Sequence, residues 1–144
     1  MTYRNHTIRG EEFCISTFEE DEKQKIAYDL VKNLLVEVSC LCKKYDNSCF
    51  YDLPYHHNER GMDCVVLPAL SKICNGLVMT EASVRRETTE SEVSGRLDYW
   101  CMYKGYSFCI ELKFCKDAYT SPHLRKEGVE LWKYMVKNQL KNSK

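Results

Sequence analysis

The 144-residue sequence has no excess of charge of either sign, because 21 Lys and Arg are matched by 21 Asp and Glu. Net charge therefore gives no argument for nucleic acid, a membrane surface or an acidic partner, although a local basic face is compatible with it. No apolar run approaches the ~18 residues of a membrane span, and the N-terminal stretch MTYRNHTIRGEEF lacks the apolar region of a signal peptide. We expect a soluble, cytoplasmic protein with no membrane partner.

The sequence also lacks any C-x-x-C pair among its nine cysteines, which argues against a zinc site or a thioredoxin-type redox centre. The count is odd, and several cysteines lie inside apolar periodic runs: Cys40, Cys64, Cys74, Cys101 and Cys109. We expect reduced, unbridged and mainly buried thiols that pack as small hydrophobic side chains, with no zinc among them.

One domain spanning 1–144 fits this length, and its first long element is a helix predicted over about 17–44. A capping box begins at Ser16 or Thr17, with a glutamate three residues later in either case. The apolar stripe of this helix consists of Ile26, Leu30, Leu34, Val38 and Leu41. Residues 1–16 are ambiguous, with EFCIS compatible with a small strand.

The rest of the chain predicts a short helix, three strands and a final helix. MDCVVLPALSKICNG indicates a helix interrupted near Pro68 and ended by Asn75–Gly76. LVMTEASVRRE predicts a strand, TTESEVSG a polar loop, and two clear strands follow. Ser121 is a good N-cap for a last helix in SPHLRKEGVELWKYMVKNQLK. This order indicates an α+β (α/β) domain with a small mixed β-sheet, in which a three-stranded antiparallel meander is flanked by helices.

The run GRLDYWCMYKGYSFCIELKF, residues 95–114, contains the last two strands and the turn that sets their register. A two-residue loop at Lys104–Gly105 pairs Tyr103 with Tyr106. Because side chains alternate between the two faces of a strand, this register gathers the apolar residues on one face. The agreement between turn and alternation supports the register.

The same register places Asp98 directly opposite Glu111, with Lys113 beside the pair. The residues expected to turn towards the core are Leu97, Ile110 and Leu112. Two carboxylates that face each other across strands repel, and a hard divalent cation between them would cancel the repulsion. The alternative is an ordinary solvated sheet face, on which exposed acids need no function.

The spacing of GRLDYW, a turn and CIELKF resembles the PD-(D/E)XK nuclease superfamily, the restriction-endonuclease-like fold. In that family an Asp from one strand and an acid-x-Lys from the next form the active site. The family core is a helix, a three-stranded meander, a helix and a strand. Residues about 62–141 follow this order through the second helix, and the strong match is confined to residues 95–114.

The resemblance implies that Asp98 and Glu111 are metal ligands and that Lys113 is the catalytic lysine. The family often has another acid upstream of the aspartate, and Glu81 in the first strand of the meander is the leading candidate for this further ligand. Weaker candidates are Glu59 and Glu37.

The activity implied by the resemblance is metal-dependent hydrolysis of phosphodiester bonds in nucleic acid, with Mg²⁺ or Mn²⁺ as the cofactor. DNA is the favoured substrate, and a homodimer is compatible with this interpretation. The alternative function is a nucleic-acid or protein interaction module, of nuclease fold or another α+β fold, without catalytic activity.

Three departures from the family pattern accompany the resemblance. Leu97 stands where the family name has proline. Glu130 replaces the glutamine of the Q-x-x-x-Y sub-motif, which ends here at Tyr134. The final strand of the family core is not found in the sequence, and the N-terminal segment, a partner or residues beyond this sequence could supply it.

Overall fold

The computed structural model describes residues 2–8, 11–17, 21–48, 53–57, 59–87 and 92–112, together with Glu130 and Tyr134. The elements in these residues are β1 (Thr2–Ile8), β2 (Glu11–Thr17), α1 (Glu22–Asp46), α2 (Asp63–Ile73), β3 (Val78–Glu87), β4 (Glu92–Tyr103) and β5 (Tyr106–Ile110). Short 3-10 turns cover Pro54–His56 and Glu59–Met62. The predicted α+β class is confirmed, whereas a restriction-endonuclease-like core stays a prediction.

The strands in the described part of the chain form two separate antiparallel sheets. Strands β3, β4 and β5 are neighbours in that order, which is the predicted meander. Strands β1 and β2 pair only with each other. Strands β1 and β2 therefore do not add to the three-stranded sheet, and this topology removes them from the candidates for the final strand of the family core.

Helix α1 begins at Glu22, later than the predicted start at residue 17. The residues EEFCIST pair with β1 as strand β2, which resolves the ambiguity of EFCIS in favour of a strand and shortens the helix. The cap is Asp21 in place of the predicted serine or threonine, and its Oδ1 accepts a 2.7 Å hydrogen bond from the Gln24 backbone N–H. Cross-strand pairing thus overrides the local capping signal.

Helix α2 runs through Pro68, so the predicted interruption is wrong. A proline inside a helix costs about 3 kcal/mol, but each buried Val or Leu side chain contributes about 1.5–3 kcal/mol. Burial of apolar side chains outweighs the helical hydrogen bond that Pro68 cannot donate, since the buried residues of this helix are Val65, Val66, Ala69 and Leu70. The predicted end is confirmed: Asn75 and Gly76 have φ of 51° and 81°, and the Gly76 N–H donates to the Ser71 carbonyl at 2.8 Å.

The β4–β5 hairpin has the predicted turn and register. Residues Lys104–Gly105 have φ of 48° and 79°, which a two-residue type I′ loop requires. Tyr103 pairs with Tyr106, and the ladder continues to the pair of Tyr99 with Ile110. The turn chemistry and the alternation of apolar residues therefore predicted the strand pairing correctly.

Strand β4 is longer than predicted at its start. It begins at Glu92, which pairs with Glu87 of β3. The second half of TTESEVSG is therefore strand rather than loop, because pairing with β3 extends the ladder into this polar stretch. Residues 88–91, the rest of the predicted loop, lie outside the described residues.

The core lies between one face of the three-stranded sheet and the two helices. The buried residues that form it are Leu30 and Leu34 of α1, Val65, Val66, Ala69 and Leu70 of α2, Cys74, and Tyr99, Cys101 and Tyr103 of β4. Ile110 and Leu112 pack against this cluster, as expected, and Leu97 is half-buried. Alternate residues of β4 thus contact the helices.

The six cysteines whose side chains the structure describes are free thiols. Cys74 and Cys101 are buried, and burial raises the pKa of both, that of Cys101 to about 12. Cys64 and Cys109 are exposed, so the expectation of mainly buried thiols is wrong for them. Alternation along β5 turns Cys109 away from the core, and Cys64 lies on the exposed side of the first turn of α2.

The predicted final helix falls almost wholly outside the described residues, as do Lys113 and Ser121. Glu130 and Tyr134, the pair at Q-x-x-x-Y spacing, are both helical and exposed. Among the residues that the structure describes, none of the helices combines the length and the apolar character needed to cross a membrane.

Helix α1 is joined to the β4–β5 turn through Asp29. Its Oδ2 accepts hydrogen bonds from the Tyr103 hydroxyl at 2.6 Å and from Lys104 Nζ at 2.7 Å. The Asn33 side-chain amide donates to the same tyrosine hydroxyl at 3.1 Å. Hydrogen bonds from Lys104 and then from Tyr103 hold the pKa of Asp29 below its ordinary value of 3.8.

We predict that Asp29→Asn lowers the free energy of unfolding by about 0.5–1 kcal/mol at neutral pH, a small value because the ion pair is partly exposed and screened. A lowered carboxyl pKa stabilises the fold above the unfolded pKa, and this contribution is lost as pH falls through the folded pKa. The difference from wild type should therefore shrink as the pH falls below 3.8, as measured by urea denaturation.

Asp46→Asn is the matched control for this prediction, because Asp46 is exposed at the end of the same helix. It should not lower the stability at neutral pH. A deficit of Asp29→Asn that stays constant as the pH falls below 3.8 would contradict the prediction, since protonation of the carboxylate removes the ion pair.

Candidate active site

A cleft of about 450 Å³ lies between the start of α2 and strands β3 and β4. Its charged lining consists of Glu59, Asp63, Glu81, Asp98, Arg60 and Arg96. Four consecutive residues of β4, 96–99, line it. Successive residues of a strand point to opposite faces, so they share a cleft only where the edge of the strand is accessible. The end of β5 at Ile110 leaves residues 96–98 of β4 beyond the β4–β5 ladder.

Asp98 lies one residue beyond the last β4–β5 pair. Its Oδ2 accepts a 2.7 Å hydrogen bond from the backbone N–H of Leu112, so a side-chain carboxylate replaces a backbone acceptor at this point. The next step of the confirmed register would set Asp98 opposite Glu111. The predicted approach of the two carboxylates stays a prediction.

On its other side, Asp98 faces an irregular residue of β3. Thr80 and Ala82 pair with β4, whereas Glu81, which the register count sets opposite Asp98, has no partner position in the ladder. Glu81 has φ of 50°, in the left-handed region, which costs a residue with a Cβ about 1–2 kcal/mol. Strained backbone of this kind clusters at functional sites, so Glu81 suggests a functional role for the cleft.

The Glu81 carboxylate forms an ion pair with Arg96. The Oε2 atom of Glu81 accepts a hydrogen bond of 2.8 Å from Nη1 of Arg96. Arg96 pairs with Ser83 across the ladder, so Glu81, two residues away from Ser83, is its diagonal neighbour. The metal-ligand role predicted for Glu81 from the resemblance must therefore compete with this ion pair.

Asp63, at the start of α2, is the acid in the cleft that the sequence analysis missed. The hydroxyl of Tyr99 donates a hydrogen bond to Asp63 Oδ1. Burial first, and the Asp63 carboxylate second, raise the pKa of Tyr99 well above its ordinary value, so the hydroxyl stays a donor. This bond joins the first turn of α2 to the middle of β4 and fixes the Asp63 carboxylate at the wall of the cleft.

The other predicted site residues differ in position. Glu111 is half-buried, its Oε1 atom is buried, and it does not line the cleft. Lys113 lies outside the described residues. Glu59 lines the cleft. Glu37 does not, because its carboxylate pairs with Lys72 at 2.7 Å, between α1 and α2.

The donor set of the cleft consists of carboxylate oxygens, which hard divalent cations prefer. In the described residues, no group of three His, Cys, Asp or Glu side chains is arranged to hold a metal ion. Mg²⁺ is commonly bound by one or two carboxylates and completes its coordination with water and substrate phosphate. One or two carboxylates of the cleft would suffice for Mg²⁺ or Mn²⁺ in an open site, and binding of such a cation stays a prediction.

Comparison of the chain with models of known families, with curated protein sequences and with solved structures gives no match. The resemblance to the PD-(D/E)XK superfamily therefore depends on the residues of the hairpin alone.

We predict that Tyr99→Phe lowers the free energy of unfolding by about 1 kcal/mol, because a part-buried hydrogen bond to Asp63 is lost while the ring and its packing remain. Tyr106→Phe, which removes the hydroxyl of a half-buried tyrosine at the β4–β5 turn, is the control. The measurement is chemical denaturation of both variants at neutral pH. Equal stabilities of the two variants would show that the bond to Asp63 contributes nothing.

Proposed function

We propose that this protein is a metal-dependent nuclease that hydrolyses phosphodiester bonds of nucleic acid, with DNA as the first substrate to test. The observation that carries the proposal is the position of Asp98. Its carboxylate lies where the β4–β5 ladder ends, in a cleft that also contains three other acids and two arginines. Acids for a cation and arginines for phosphate are the two kinds of group that phosphodiester hydrolysis requires.

Asp98 and Glu111 are the proposed metal ligands. Asp98 lines the cleft and Glu111 does not, and Asp63 is a further acid in the lining. The Leu112 N–H orients the Asp98 carboxylate through Oδ2, and its remaining lone pairs can serve a cation. The Tyr99 hydroxyl orients Asp63 in the same way through Oδ1. A hard divalent cation bound there would polarise the scissile phosphate and lower the pKa of a bound water.

Lys113 is the proposed catalytic lysine, two residues after Glu111 in the acid-x-Lys sequence. Its ammonium would orient the attacking water or stabilise the charge that develops on the phosphate oxygens. The role depends on a positive charge near the reacting atoms and not on packing, which makes it separable from stability by substitution.

A binding function without cleavage is the second candidate. It is favoured by one observation, namely that two arginines line the cleft and can bind an anion without a metal ion. Such a protein would bind nucleic acid or another protein through the same cleft. Cleavage in the presence of Mg²⁺ or Mn²⁺ separates the two candidates.

The test of the proposed function is cleavage of end-labelled DNA and RNA, single- and double-stranded, in Mg²⁺, in Mn²⁺ and in EDTA. We expect cleavage only with a metal ion, and we expect Asp98→Asn and Lys113→Ala to abolish it. Asp98→Asn keeps an amide oxygen that can accept the Leu112 N–H bond, so its fold should persist. Lys72→Ala is the control for the loss of a lysine, because Lys72 is exposed on α2 outside the cleft.

The nuclease function would be refuted if wild-type protein, shown to be folded by circular dichroism, cleaved none of these substrates in the presence of metal ions. Full activity of Asp98→Asn would leave the function in place and refute this site. These two results are distinguishable in the same gels.

We also predict that Glu111→Ala loses both cleavage and Mg²⁺ binding without a loss of stability. Removal of one of two neighbouring carboxylates relieves repulsion in the metal-free protein, whereas removal of one partner of a structural ion pair destabilises. Thermal unfolding without metal and calorimetric titration with Mg²⁺ measure the two effects. A lower melting temperature together with unchanged Mg²⁺ affinity would assign Glu111 a structural role.

A further inference from the structure

The ion pair of Glu81 with Arg96 forms part of the wall of the cleft. Both side chains are largely exposed, 72% for Arg96 and 62% for Glu81. Nη1 of Arg96 and Oε2 of Glu81 are 2.8 Å apart. Exposed ion pairs contribute little because water and salt compete with them. A competing anion can therefore take Arg96 from Glu81 at small cost.

We propose that Arg96 binds a phosphate of the nucleic-acid substrate and that Glu81 is its internal counter-ion in the free protein, not a metal ligand. The proposal rests on the nuclease function proposed above and names a substrate-binding residue for it. A guanidinium offers several N–H donors in one plane and pairs with two phosphate oxygens at once. In the free protein the Glu81 carboxylate occupies this position.

The location of Arg96 fits a phosphate contact. It lies two residues before Asp98 on β4, and both residues line the cleft. Two residues of a strand span about 6.6 Å, so the two side chains can reach one phosphate or two successive phosphates of a strand. Asp98 would then bind the cation, and Arg96 would bind the phosphate anion.

The backbone of Glu81 supports a role in holding Arg96. Its left-handed conformation takes it out of the β3–β4 ladder, and its carboxylate meets the diagonal neighbour Arg96. A regular strand residue at this position would instead face Asp98, a like charge. The metal-ligand role and the counter-ion role predict opposite effects when Glu81 loses its charge.

The experiment compares Glu81→Gln, Arg96→Gln and the double variant with wild type. Binding of a fluorescein-labelled DNA duplex is followed by fluorescence anisotropy in Ca²⁺ across a salt series, and gels verify that the DNA stays intact. We expect Glu81→Gln to tighten the Kd by a factor between about 1.4 and 5, which corresponds to the ~0.2–1 kcal/mol of an exposed ion pair. Arg96→Gln should weaken binding and reduce the salt slope by about 0.9, the value for one phosphate contact.

The double variant tests whether Glu81 acts through Arg96. If Glu81 holds Arg96, Glu81→Gln gives no gain in the Arg96→Gln background. If Glu81 only repels the DNA, the gain is the same in both backgrounds, and the proposal is overturned. Mn²⁺ titration completes the test, because Glu81→Gln should leave the Mn²⁺ affinity unchanged.

The ion pair between Lys72 and Glu37 supplies matched controls. Lys72 Nζ and Glu37 Oε2 are 2.7 Å apart, close to the 2.8 Å of the test pair, and both residues lie away from the cleft. Lys72→Gln and Glu37→Gln make the same changes in net charge as the test variants, and they should alter neither the Kd nor the salt slope. If the control variants and the test variants had equal effects on DNA binding, the change in overall charge would explain the result and the proposal would be overturned.

The remaining outcomes separate this proposal from the nuclease function. Cleavage by wild type, with loss of Mn²⁺ affinity and weaker DNA binding in Glu81→Gln, would make Glu81 a metal ligand and leave the nuclease function standing. No cleavage and no DNA binding by wild type would refute that function. Arg96-dependent binding of inorganic phosphate by Glu81→Gln would then support the anion site at Arg96. Absence of phosphate binding would refute both the nuclease function and the anion site.

Discussion

The burial of Tyr99 between α2 and the sheet is the constraint on which the cleft depends. Its side chain is 1% exposed, and its hydroxyl donates to Asp63 at the start of α2. Because successive strand residues point to opposite faces, burial of Tyr99 keeps Asp98 out of the core. A shift of β4 by one residue would bury Asp98 and expose Tyr99, so the choice of register and the formation of the cleft are one event.

The regularity of the sheet is lost on both sides of Asp98. Towards β5 the ladder has ended, and the carboxylate bonds the Leu112 N–H. Towards β3 the opposite residue, Glu81, is in the left-handed conformation and out of the ladder. Elsewhere β4 is paired with β3 from Glu92 to Cys101. The irregularity is confined to the position that carries the proposed chemistry, where backbone strain has a functional explanation.

The features that could be predicted from the sequence depend on residues close together in the chain, and the features that were missed depend on contacts between residues far apart in it. The Lys104–Gly105 turn and the position of Asp98 follow from loop length and alternation within one short run. The bond of Tyr99 to Asp63 joins residues 36 apart, and no local pattern announces it. The left-handed Glu81 is missed for another reason, because residue preferences assign that conformation to Gly, Asn and Asp. The predicted start of α1 is wrong because the pairing of β2 with β1 competes with a local capping signal.

Charge within the cleft differs from charge in the chain as a whole. Four carboxylates and two guanidinium groups line it, a formal charge of −2 at neutral pH, whereas the whole chain is neutral. A phosphodiester is therefore repelled until a divalent cation neutralises the acids. Under the proposed function, the two arginines contribute affinity only after that step. Cation and nucleic acid must then raise each other's affinity by the same factor, since coupling between two binding equilibria is reciprocal.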